Sequence, residues 1–306
     1  MIPLRLLARD TDRVDVGEGS VAVADRAVGY CRYNVDAPRR AIFQYGTPGT
    51  RRLSGQLIDV ARNAGYDLLV IDRPGYAATS RRPGRQVVDV VEDVLAVTHT
   101  LGWSRFAVWG GSGGGPHALA IAAAFPDQVT ACASVVGLAP FDAPGLDWFA
   151  GMSPGNVEEF RLATRGEAAY RPLVVGLALD AMAAVEAGGV QVAADYQLPE
   201  SDRVALAKRQ AEPDFLERMR ATYLDGIDGW IDDCVAFTRP WGFDLNPIAV
   251  PVSIWYGVRD VLASRAHTDY LVATIPAARR HELGGGHVLS DEDLASIYEW
   301  LTNASQ

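Results

Sequence analysis

Val108-Trp-Gly-Gly-Ser-Gly-Gly-Gly-Pro-His117 is the stretch that decides the fold. An apolar run ends in Gly110-Gly111-Ser112-Gly113-Gly114, and an Ala-rich, helix-like segment follows at once. A serine on a strand-to-helix turn this tight tolerates only small neighbours, and the G-x-S-x-G spacing projects its hydroxyl over the edge of a sheet. A serine so presented is there to react.

On either side, short β-branched or aromatic runs alternate with longer amphipathic segments, the pattern of a parallel sheet with crossover helices. Strands are expected at Ser20–Ala24, Val28–Tyr33, Ala41–Tyr45, Asp67–Asp72, Phe106–Trp109 and Val129–Val136, and helices at about Thr50–Asn63, Gln86–Leu101 and Gly114–Phe125. The first two strands lack a helix between them and should pair as an antiparallel hairpin. From about Pro140 to Trp241 the strand-like runs stop, and helical periods carry Trp148, Phe149, Phe160, Tyr170, Tyr223, Trp230 and Phe237. So long an insertion is no loop.

The α/β rhythm returns with strands at Val252–Tyr256 and Arg279–Leu283 around a helix at Ser264–Ile275, and Ser290-Asp-Glu-Asp293 opens a last helix as a capping box. The fold class is therefore α/β, with a mostly parallel eight-stranded sheet flanked by helices. Residues 1–139 and 242–306 make the core domain, and 140–241 a helical lid.

Composition narrows the function. The 306 residues are 49% hydrophobic and 22% charged, with a formal net charge of -10, which disfavours nucleic acid or an anionic membrane as partner. Lys208 is the only lysine, so Schiff-base chemistry would rest on one residue in a polar stretch. Cys31, Cys132 and Cys234 are far apart with no C-x-x-C pair, which suits buried thiols in a reducing compartment. The opening residues Met1–Asp10 do not read as a secretory signal, and no stretch approaches the roughly 18 uninterrupted apolar residues of a membrane span. A cytoplasmic protein without cofactor or metal, acting on a small molecule, is expected.

A serine hydroxyl needs a base within hydrogen-bond reach and a carboxylate to orient that base. Both stand after expected strands: Asp260 in Tyr256-Gly-Val-Arg-Asp260 and His287 in Leu283-Gly-Gly-Gly-His287. The carboxyl ends of parallel strands share one edge, so Ser112, Asp260 and His287 can converge there. His99, His117, His267 and His281 read as structural or solvent-facing, and none has a partner at metal spacing. The oxyanion formed on attack requires two donors, expected from the amides of Gly113 and of Thr47 in Tyr45-Gly-Thr-Pro-Gly49. Asp72-Arg-Pro-Gly-Tyr76 should brace the neighbouring loops.

These residues resemble the α/β-hydrolase superfamily over nearly the whole chain. Gly110–Gly114 matches its nucleophile elbow, Tyr45–Gly49 its oxyanion loop, with Tyr45 where many members have histidine, and Asp72–Thr79 its Asp-x-x-Gly-x-Gly-x-Ser segment, with Ala77 and Thr79 departing from that pattern. The resemblance implies a serine hydrolase that acts on a carboxylic ester or lactone through an acyl-enzyme, with Ser112, His287 and Asp260 as its triad. Tyr45, Trp148, Phe149 and Trp230 are the expected substrate contacts. Serine at position 112 disfavours the epoxide hydrolase and dehalogenase branches, which use aspartate there. The elbow also resembles that of proline iminopeptidase relatives, whose lid carboxylates hold a substrate amine. Glu158, Glu159 and Glu186 are available but read as surface glutamates. Carbon–carbon bond hydrolysis, lyase chemistry, perhydrolysis and a non-catalytic ligand receptor remain alternatives on the same fold.

Overall fold

The computed structural model describes residues 16–189 and 194–306. Its strands are β1 (Val16–Val23), β2 (Arg26–Tyr33), β3 (Arg39–Gln44), β4 (Tyr66–Ile71), β5 (Phe106–Gly111), β6 (Val129–Val135), β7 (Val252–Gly257) and β8 (Ala278–Leu283). They form one eight-stranded sheet in the order β1-β2-β4-β3-β5-β6-β7-β8. The hairpin β1–β2 is antiparallel and joins β4 antiparallel, while every later pairing is parallel.

Around the sheet lie α1 (Gly55–Asn63), α2 (Val90–Thr100), α3 (Gly114–Ala124), α9 (Arg265–Thr274) and α10 (Asp291–Ala304). Between β6 and β7 come α4 (Pro154–Thr164), α5 (Glu167–Glu186), α6 (Glu200–Gln210), α7 (Phe215–Tyr223) and α8 (Ile227–Phe237), with no strand among the described residues there.

The strand sequences explain why both faces are covered. Successive side chains point to opposite faces, and strands apolar at both parities must bury both. Ile42, Leu69, Val108 and Ile254 enter the layer under α2, α3 and α9, while their neighbours Phe43, Val70, Trp109 and Trp255 enter the layer under α1 and α10. Each such side chain contributes roughly 1.5–3 kcal/mol of burial free energy.

Two expected helices start late for local reasons. α1 begins at Gly55 because Ser54 caps it, its Oγ accepting from Leu57 N, while Arg51 N–H upstream is held by Asp72 Oδ1. Val87–Asp89 forms a short 3-10 turn before α2, with the Gln86 N–H donated to Asp89 Oδ2 at 2.8 Å. The Ser290 capping box is present in both directions. All three cysteines are free and buried. Among the described residues one helix, α5, is long and apolar enough to cross a membrane, with a mean hydropathy of 1.4 over its 18-residue window. Arg171 and Asp180 interrupt it, so it escapes a search for unbroken apolar runs, and Tyr170, Val174, Ala178 and Met182 pack inward.

Candidate active site

The chain runs from β3 outward to β4, then crosses back to β5 on the other side of β3. Such a reversal opens a crevice at the carboxyl ends of the strands. Ser112 follows β5 directly, with φ at 53°, a left-handed conformation a serine adopts only when its surroundings impose it. Those surroundings are backbone. A Cβ at Gly110 would lie 2.1 Å from Gly114 O, and one at Gly114 would lie 1.9 Å from Gln44 O. The glycines therefore let α3 start against the end of β3, which forces the turn.

Ser112 Oγ lies 2.8 Å from His287 Nε2, and His287 Nδ1 lies 2.8 Å from Asp260 Oδ2. A carboxylate can only accept, so Nδ1 carries the proton, and the bare Nε2 accepts the Ser112 hydroxyl. Asp260 is anchored by Leu262 N–H and Ala263 N–H, both donated to its Oδ1. Burial alone would lower the His287 pKa, but Asp260, with Asp202 adding to it, holds it above the ordinary imidazole value.

The loop after β3 reaches the serine from the other side. A Cβ at Gly46 would lie 3.3 Å from Ser112 Cβ, and one at Gly113 would lie 2.4 Å from Thr47 Oγ1. No hydrogen bond within the described residues engages the amide of Thr47 or of Gly113. Behind the loop, the buried Arg73 donates to Tyr45 O at 2.8 Å, to Gly46 O at 3.1 Å and to Asp233 Oδ2 at 2.6 Å. Asp233, on α8, also accepts from Thr47 Oγ1, Tyr76 Oη and Arg85. Desolvation alone would raise the Asp233 pKa, but Arg73 and Arg85 drive it far below the usual carboxylate range. Asp72 meanwhile pairs with Arg51. The segment expected to brace loops does so, though its main partner is an insertion residue.

Ser112 and His287 border two cavities. One, of about 370 Å3, runs past Tyr45, Leu53, Trp109, Phe215 and three arginines, Arg52, Arg209 and Arg218. The other, of about 360 Å3, contains Thr47, Gly113, Asn156, Glu159, Phe160 and Trp230. Tyr45 lines the first of these cavities and Trp230 the second. Trp148 and Phe149 line neither cavity. The Trp148 indole N–H is spent on Ala139 O at 2.8 Å, and its ring packs edge-on against Phe160 and Phe149, so it supports the wall from behind.

Of the remaining histidines, three are held in packed surroundings and one is exposed. His117 Nδ1 lies 2.8 Å from Gly113 O, and burial, with Arg73 adding to it, lowers its pKa to about 3. His267 holds Ala139 N and Trp148 O, and burial lowers its pKa to about 4. His281 stacks on Trp255, and His99 is exposed.

Reading Glu159 as a surface glutamate was wrong. It is 6% exposed and faces the second cavity. Trp230 Nε1 donates to its Oε1 at 2.8 Å, Tyr196 Oη donates to its Oε2 at 2.6 Å, and the Tyr170 hydroxyl donates as well. Among the described residues no cation lies within salt-bridge distance of it. Burial and then Glu159 push the Tyr196 pKa up. Glu158 is exposed, and Glu186 pairs with Arg220 at the surface. No cluster of three His, Cys, Asp or Glu side chains among the described residues forms a metal site.

The family model for the alpha/beta hydrolase fold matches residues 42–294. The chain belongs to that family. Its α/β-hydrolase architecture is shared with an enol-lactonase from Burkholderia xenovorans LB400, at a TM-score of 0.64 and 20% identity over 94% of this chain and 99% of the other. A thermophilic esterase from Thermogutta terrifontis gives 0.64 at 18% identity, over 95% of this chain and 100% of the other. A hydrolase from Pseudomonas aeruginosa PA01 gives 0.64 at 19% identity, over 94% and 97%. No curated protein matches the sequence. At these identities the likeness of this α/β-hydrolase to the solved structures extends to the fold.

Proposed function

We propose that the chain is a serine hydrolase of carboxylic esters or lactones, with residues 140–241 as its lid. The carrying observation is the continuous relay from Ser112 Oγ through His287 to Asp260, both contacts at 2.8 Å, on a serine held at positive φ. Ser112 Oγ attacks the carbonyl carbon while its proton passes to His287 Nε2. Asp260 keeps the ring in the required tautomer and offsets the imidazolium charge. The free amides of Thr47 and Gly113 receive the oxyanion. Collapse expels the alkoxide, which takes the proton from His287, and water repeats the sequence on the acyl-enzyme. The lid helices supply Glu159, Phe160, Leu177 and Trp230 to one cavity and Arg209, Phe215 and Arg218 to the other, so substrate choice rests with them.

The test is labelling with an alkyl fluorophosphonate together with turnover of a panel of p-nitrophenyl esters. Wild-type protein should label and turn over, and Ser112→Ala should do neither while staying folded. A wild type that neither labels nor turns over any ester overturns the reading.

One observation favours a second reading, cleavage of an amide or ester that carries a free amine. Glu159 is a buried carboxylate that, among the described residues, is held by neutral donors alone; it lines the same cavity as Ser112, and an ammonium group would supply the missing countercharge.

A further inference from the structure

Asp202 stands in the first turn of α6 and is 0% exposed. Its Oδ2 accepts the backbone N–H of His287 at 2.8 Å, and its Oδ1 accepts from Ser201 Oγ at 3.3 Å. No described cation lies within salt-bridge distance of it. A helix N-terminus is a favourable place for a carboxylate. Yet this one does not bond the amides of its own helix; it reaches a loop 85 residues away. That loop is cut to fit. A Cβ at Gly286 would lie 2.4 Å from Asp202 Oδ1, so the residue before the base has to be glycine for the carboxylate to seat.

A second tie lies two turns further along the same helix. Arg209 Nη2 donates to Leu289 O at 3.0 Å, so α6 grips the His287 loop on both sides of the histidine. We propose that Asp202 is a positioning residue for His287: from α6 it fixes the backbone of the base and keeps a second negative charge beside the imidazole. The base is then complete only while this insertion helix is seated. This rests on the reading of Ser112, His287 and Asp260 as a triad.

The electrostatics agree with the geometry. Proton transfer from Ser112 creates an imidazolium, and a fixed carboxylate nearby stabilises that charge without reorganisation. The carboxylates facing His287 are Asp260 from the segment after β7 and Asp202 from α6. Of the cations on those elements, Arg259 and Arg209 are turned to the carbonyls of Gly284 and Leu289, Arg203 pairs with Glu200, and Lys208 pairs with Asp291. Asp291 and Asp293 of α10 are occupied by Lys208 and by the Ser290 cap. The net field of these groups raises the basicity of the ring.

The rate of Ser112 labelling by an alkyl fluorophosphonate, measured from about pH 5 to about pH 9, reads the base without a known substrate. Asp202→Asn removes the charge but keeps an acceptor for His287 N–H. Its limiting rate should fall roughly threefold to tenfold, and its acid limb should move to lower pH by several tenths of a unit. Asp202→Ala also leaves the amide unpaired and should fall further. Should the alanine variant not fold, the isosteric asparagine carries the test alone. A folded Asp202→Asn with the wild-type rate and limb overturns the inference. Ser112→Ala runs in parallel: if it still labels, the triad reading itself has failed, whereas silence there with an unchanged Asp202→Asn sinks only the role of Asp202.

Discussion

The Arg73 guanidinium and the Asp233 carboxylate meet at 2.6 Å with 1% and 0% of their side chains exposed, and this pair fastens the loop after β3 to helix α8. Thr47 hangs on the same carboxylate. Loss of one partner from a buried pair strands the other charge, here two arginines, since Arg85 shares Asp233. Asp233→Asn should therefore cost about 3–5 kcal/mol in urea unfolding and slow Ser112 labelling as the Thr47 loop loosens. A loss below about 1 kcal/mol would contradict the account.

Gly114 offers a backbone test. Its Cβ would stand 1.9 Å from Gln44 O, so Gly114→Ala must push the start of α3 away from β3. Destabilisation of about 1–3 kcal/mol is expected, and with it loss of most labelling because Ser112 no longer meets His287. Full labelling in a folded Gly114→Ala would show that the close approach does not position the serine.

The base titrates in a stated direction. His287 must be neutral to accept a proton, and its pKa is raised, so ester turnover should climb with pH through a midpoint above the roughly 6.5 of free imidazole. The midpoint is read from kcat/KM against pH, and a value below that of free imidazole would refute the arrangement.

Stability has its own pH dependence. His117 and His267 are kept neutral when folded, with pKa values of about 3 and about 4. Below about 6.5 the unfolded chain binds protons that the folded chain does not, so stability is lost as the pH is lowered, by about 1.4 kcal/mol per histidine per pH unit, until the folded values are reached. Urea unfolding at a series of pH values between these limits measures the slope. A flat profile would mean that both rings are protonated in the fold.

Glu159 separates the two substrate readings. Glu159→Gln should leave neutral esters within about threefold of wild type, while amine-bearing substrates lose about tenfold or more in kcat/KM, because hydrogen bonds to charged groups contribute about 1.5–3 kcal/mol. Equal effects on both classes would remove the argument for an amine subsite.

The sheet and the elbow were legible because each rests on local chemistry. Short continuous apolar runs mark strands such as the one expected at Asp67–Asp72, and Gly110 and Gly114 around Ser112 mark a tight turn. Asp260 and His287 followed from their places after β7 and β8, since parallel strands share a carboxyl edge. What escaped was whatever depends on how the insertion packs. Glu159 in an acidic helix looks like any solvated glutamate until Trp230 and Tyr196, 71 and 37 residues away, close over it. The glycine before His287 leaves room for a close neighbour, but nothing in the sequence names Asp202 as that neighbour. Trp148 carried the composition of a pocket wall and the position of a prop.

Ser112 and His287 stand on the partition between two cavities. On the ester reading, an acyl group lodged in one of them leaves the other open to whichever hydroxyl compound arrives. Water then holds no privileged route to the intermediate. Small alcohols added to the reaction should intercept it, and the products should divide between free acid and a new ester in proportion to what fills the vacated side.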